Sequence, residues 1–140
     1  MSNVKEALAN WDAADELLAE KIDKLATFMD EYNEVIVEDI TAEVKKVVTQ
    51  ITGGTIKFCK YHGIKTITFT NVVVSGTTMS SSMCTTLYKI IGNSKNGADA
   101  IGVVSASAVA KCGHVFVNHD GYLGVRISEA GTYSGEIVYA

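Results

Sequence analysis

The chain has 140 residues, 47% apolar and 20% charged, with 12 basic against 16 acidic side chains and a formal net charge of −4. This fits one average domain, or a small domain with an extended element, and excludes a disordered chain on composition. The acidic balance argues against a nucleic-acid binder, which would present a basic face. There is no apolar run of about 18 residues, so no membrane insertion is expected.

The N-terminal stretch MSNVKEALANWDAADELL is acidic and amphipathic. It lacks the apolar core and cleavage site of a secretory signal. Three cysteines at irregular spacing, Cys59, Cys84 and Cys112, do not form a disulfide framework and suggest folding in a reducing compartment. The chain contains no proline, which suits an uninterrupted helix and regular strands. All 12 glycines lie from Gly53 onward, while most acidic residues precede residue 51. The shift at TQITGG predicts a boundary between residues 1–52 and 53–140.

The first part reads as one long helix. Val4, Leu8, Trp11, Leu18, Ile22, Leu25, Met29, Tyr32 and Ile36 follow alternating steps of three and four, with Asp15 as a polar intruder. In heptad terms Leu8, Ile22, Met29 and Ile36 take a, and Val4, Trp11, Leu18, Leu25 and Tyr32 take d. After Ile36 the phase slips by one residue, and the stripe resumes as Val37, Ile40, Val44, Val47 and Ile51. A helix over residues 3–51 would be about 70 Å long at about 1.5 Å per residue. No turn signal allows it to fold back, so burial against copies of itself is expected, as a parallel homo-oligomeric coiled coil. The core residues do not decide between dimer and trimer. Ala7, Ala14, Leu17 and Ala26 widen the stripe, so packing of the helix on its own β-domain stays open.

From Thr55 the chain reads as β. IKTITFTNVVV, TTLYKII, AIGVVSASAV, HVFVN, YLGVRIS and TYSGEIVYA are short β-prone segments between Gly, Ser and Asn clusters. This spacing predicts a small antiparallel β-sandwich or jelly-roll-like head, and a segregated α+β fold for the whole chain. In HVFVNHDGYLGVRI the turn NHDG joins two strands. Val115, Val117, Leu123, Val125 and Ile127 then share the core side. Phe116, Tyr122 and Arg126 share the other, where Gly124 leaves room for close approach by another group.

The chemical candidates are thin. Cys59 and His62 have C-x-x-H spacing, and Cys112 and His114 have C-x-H; Cys84 or His119 could complete a set, and one histidine per chain could form a ring on a threefold axis. None of these matches a common zinc pattern, so no metal or cofactor is expected. Cys112 and His114 would share a strand face, but a nucleophile and base also need an orienting group and an oxyanion hole. There is no nucleophile elbow, P-loop or dinucleotide fingerprint. A hydrolase would have to draw on Asp99, Asp120, Glu129 and Glu136, all in or beside predicted turns. Carbohydrate binding needs aromatic faces and a few orienting polar groups, which Tyr61, Tyr88, Tyr122, Tyr133, Tyr139, His62, His114, His119, Asp120 and Arg126 can supply. A packing surface between subunits would use the same residue types.

A heptad helix, a Gly-Gly joint and a Gly/Ser/Thr-rich β-domain closing on GVRISEAGTYSGEIVYA form a layout that resembles the trimeric receptor-binding and tail-fibre proteins of tailed bacteriophages and the baseplate adhesins of prophages. The likeness covers the layout of the whole chain and, residue by residue, about the last twenty positions. It implies a trimer on the virion tail or baseplate, assembled in the host cytoplasm, that recognises a host cell-surface saccharide and contacts other tail or baseplate proteins. The expected glycan-binding residues are Phe116, His119, Asp120, Tyr122 and Arg126. Two alternatives stand beside a non-enzymatic adhesin: a virion assembly protein whose head binds another protein, and a small polysaccharide hydrolase.

Overall fold

The structure, a computed structural model, describes residues 2–78, 83–94, 99–106 and 111–140, with side chains from Asn10 onward. It divides into two compact units, Met1–Glu34 and Val35–Ala140. The first is a single helix, α1 (Ser2–Asn33). The side chains of Val4 and Leu8 lie outside the described residues. Trp11, Leu18, Ile22, Leu25, Met29 and Tyr32 are all exposed in the single chain, as are Leu17 and Phe28 beside them.

The expected helix over residues 3–51 therefore stops well short, and the joint is not at Gly53. Val35, Ile36 and Val37 are three consecutive β-branched residues, which cost helix and favour strand. They lead into β1 (Ile36–Asp39). A short helix, α2 (Thr41–Val47), follows. The side chain and backbone N–H of Thr41 both donate to the Asp39 carboxylate, holding its pKa below the usual range. Of the stripe assigned to an oligomer core, Ile40, Val44 and Ile51 are instead buried in the β unit of their own chain, with Ile36 and Val47 packed against that core. Each fully buried Ile or Val contributes about 1.5–3 kcal/mol relative to exposure.

The remaining elements are β2 (Ile51–Tyr61), β3 (Ile64–Val74), β4 (Met83–Cys84), α3 (Tyr88–Ile91), β5 (Ala100–Ala106), β6 (Cys112–Val117), β7 (Leu123–Arg126) and β8 (Gly131–Tyr139). The eight strands among the described residues join one antiparallel sheet, in the order β1-β2-β3-β8-β5-β6-β7-β4. The expected two-layer sandwich is thus a single, strongly curled sheet. TTLYKII is not a strand. Leu87 and Ile91, four apart, both point into the core on the α3 turn, and Gly92 at φ 62° ends it.

The curl has a local cause. On the inner face of adjacent strands, a Cβ on Gly102 would lie 2.1 Å from the Glu136 carbonyl oxygen. A Cβ on Gly135 would lie 2.2 Å from the Val103 carbonyl oxygen. Only glycine permits β5 and β8 to approach this way. β2 and β3 bend together further along. Gly54 (φ 91°) and Asn71 (φ 49°) are both left-handed, the β2–β3 register shifts around Gly53, and the β3–β8 register shifts between Phe69 and Val72. That extra residue lets Ile67 and Phe69, then Val72 and Val74, all face inward.

The sheet ends, β1 and β4, are spanned by α2. The Ile40 N–H donates to the Ile56 carbonyl at 2.9 Å, and the Ile56 N–H to Thr41 Oγ1 at 2.8 Å. On its other side, Cys84 Sγ of β4 lies 3.8 Å from the Glu43 carbonyl oxygen. Tyr139 closes the base of the core, its hydroxyl donating to the Ile91 carbonyl; burial raises its pKa.

Gly135→Ala is expected to lower stability in urea denaturation by about 1–3 kcal/mol, because the added methyl meets backbone. Gly76→Ala, where a Cβ would meet nothing within 4 Å, should change it by less than about 0.5 kcal/mol.

Candidate functional site

The hairpin β6–β7 forms as its sequence suggests. Val115, Val117, Leu123, Val125 and Ile127 are all buried. The turn is built around Asn118. Its Oδ1 accepts from the backbone N–H of Asp120 at 3.0 Å and of Tyr122 at 2.9 Å, while Gly121 N–H donates to the Asn118 carbonyl. Gly121 is left-handed (φ 81°) and packed against Gly92 and the Cβ of Tyr88.

This packing sets an exposed polar group at one end of the sheet. His119 Nδ1 lies 3.8 Å from Asp99 Oδ1, and His119 Nε2 lies 3.5 Å from Asp120 Oδ2. All three side chains are about half exposed or more, so the pairing is loose and solvated. Tyr88 stands beside the turn, 48% exposed, with Lys89 Nζ 5.8 Å from its ring centroid. An exposed aromatic side chain on the element packed against this turn, with the carboxylates and imidazole that the turn carries, supplies the group types that stack on a sugar ring and hydrogen-bond its hydroxyls. Tyr88 is among the aromatic side chains that the sequence offers for carbohydrate binding, but its place beside this turn follows from α3, where a strand was expected.

The five residues expected to bind together are not together. His119 and Asp120 are on the turn, and Tyr122 is half-buried just after it. Phe116 and Arg126 lie on the outer face of the sheet, where Phe116 pairs with Gly124 and His114 with Arg126. Arg126 is three residue pairs from the hairpin's last pair, about 10 Å along the strand. The space over Gly124 is filled by the chain's own Phe116, whose ring carbon Cζ would lie 2.1 Å from a Cβ there. The Arg126 guanidinium carbon sits 5.2 Å from the centre of the same ring. Phe116 is therefore engaged by the chain's own groups and offers little stacking surface to a ligand.

The other candidates separate as well. His62 sits on the two-residue turn between β2 and β3, at φ 49° with Gly63 at 74°, and its ring stacks on Tyr61 at 3.9 Å. Cys59 is half-buried, Cys84 buried and Cys112 exposed, and all three are free thiols. Among the described residues, no three His, Cys, Asp or Glu side chains are placed to hold a metal ion. Of the four acids, Glu129 lies 3.7 Å from Lys111 Nζ, and Glu136 is in the middle of β8 rather than beside a turn. Among the described residues no helix is long and apolar enough to cross a membrane.

No known protein family and no curated protein matches the chain.

Asn118→Ala removes the acceptor of two turn N–H groups. It should cost about 1 kcal/mol in urea denaturation, with the fastest-rising amide exchange at Asp120 and Tyr122.

Proposed function

We propose that the chain is a non-enzymatic, homo-oligomeric adhesin of the kind carried on phage or prophage tails. In this reading α1 assembles three copies, and the β unit binds a host cell-surface saccharide at the Tyr88, Asp99, His119 and Asp120 end. The observation that carries it is the exposed apolar stripe of α1 set against a β unit that fills its own core. Every described buried apolar side chain lies at Ile40 or later, so the stripe from Trp11 to Tyr32 is not needed to complete that core. An apolar stripe at heptad spacing is buried most simply against copies of itself.

α1 carries eight acidic and three basic side chains, so its exposed faces keep it soluble while the stripe associates. The tail-appendage assignment rests on the layout of helix followed by β head, and on the closing β8 strand. Saccharide as the ligand class rests on the shallow, exposed polar group around the turn with one aromatic face beside it.

Light scattering of the full chain should give three chains per particle; a particle of one chain would sink the reading. Leu18→Asp combined with Leu25→Asp should leave the β-sheet circular dichroism intact and reduce the particle to single chains. On a glycan array the unmodified protein should bind defined saccharides, and Tyr88→Ala should lower that binding at least tenfold. A uniformly blank array would favour the assembly-protein alternative.

A further inference from the structure

The outer face of the sheet carries a second feature, away from the turn. Ile101, Val103 and Val138 are 67%, 63% and 56% exposed. They are neighbours. Val103 of β5 pairs with Glu136 of β8. Ile101 lies two residues along β5 and Val138 two residues along β8, on the same side of the paired strands. Phe116 pairs with Ile101 from β6 and borders the group. Single exposed aliphatics are ordinary on a protein surface, but a contiguous set in the middle of a sheet is a docking feature.

Its surroundings are ordered by charge. One row of cross-strand neighbours runs Thr68, Glu136, Val103, His114, Arg126. The apolar centre thus has a carboxylate on its β8 side and an imidazole and guanidinium on its β6–β7 side. Neither Glu136 nor Arg126 forms an ion pair among the described residues.

We infer that a second copy of this chain packs on the Ile101–Val103–Val138 patch, with Glu136 of each copy meeting Arg126 of the next. The inference rests on the oligomeric reading of α1 and adds a contact between heads. Charge complementarity selects the partner and the symmetry. Copies related by rotation about an axis parallel to β5, with their patches turned toward it, bring each basic flank against the neighbouring acidic flank. This holds for two copies or three. An axis lying in the sheet and perpendicular to β5 would instead set Glu136 against Glu136. A parallel helical bundle has the same cyclic symmetry as the favoured arrangement. Tethering through α1 also raises the local concentration of heads, so a patch of three aliphatics and one ion pair suffices to close the contact.

The test uses the full chain and its dissociation constant from sedimentation equilibrium. Glu136→Arg and Arg126→Glu should each raise that constant about tenfold or more, by facing like charges across the contact. The chain carrying both reversals should return to within about threefold of the unmodified value. Arg126→Glu also loses the guanidinium contact with Phe116, but so does the double variant, so its recovery reports the contact between copies. Val103→Ser should raise the constant about tenfold, as expected of a central apolar contact. An unmodified chain that sediments as a monomer overturns the oligomeric reading and this inference together. An oligomer indifferent to both single reversals, or one not restored by the double reversal, overturns the inference alone.

Discussion

The β unit depends on one close approach, between the backbones of β5 and β8 on the inner face of the sheet. Gly102 and Gly135 each place an absent side chain where the opposite strand's carbonyl oxygen stands. The lack of two methyl groups lets this sheet of eight described strands fold over on itself, where a flat sheet would leave its inner face in water. The curl determines the rest. It gathers Val104, Val115 and Val125 with Ile56, Phe58 and Ile67 into one core, and it brings the two edge strands near enough for the seven residues of α2 to bridge them.

Inner and outer faces then do different work. The inner face is aliphatic and aromatic, and among the described residues its buried side-chain polar atoms all have hydrogen-bond partners, as with Thr78, whose hydroxyl donates to the Val125 carbonyl and accepts from the Ile127 N–H. The outer face bears registered rows, one of them mostly apolar from Val37 through Cys59 to Val138 and Phe116, and one charged from Asp39 through Lys57 to Arg126. Rows of this kind arise because the period of two along each strand is kept in register from strand to strand.

Where local rules and tertiary demand agree, the sequence is readable. The alternation of Val115, Val117, Leu123 and Val125 about NHDG describes a hairpin that could bury only one way. The N-terminal half of the heptad stripe likewise forms the helix its spacing implies. Local pattern fails where two readings share one spacing. Ile40, Val44 and Val47 keep steps of four and three because α2 packs one side on the core, with Ile51 following as the first residue of β2, and that periodicity is the same for a short core helix as for a long stalk. Leu87 and Ile91 show the converse, a β-prone segment in which burial of two positions four apart outweighs propensity. The candidate site is half legible for the same reason. The turn residues could be read from NHDG, but Tyr88 reaches the turn only through a fold in which α3 packs against Gly121.

Residues 36–51 also act as a stop. Their heptad-like spacing would let α1 propagate through them, yet the same side chains are committed to the β unit. Extending the helix by one turn past Asn33 would dissolve β1, and a few turns more would draw Ile40 and Val44 out of the core. The β unit thus sets the C-terminal limit of α1 at Asn33. Any assembly built on α1 inherits that boundary, because the side chains that would carry the helix further are already spent on another core.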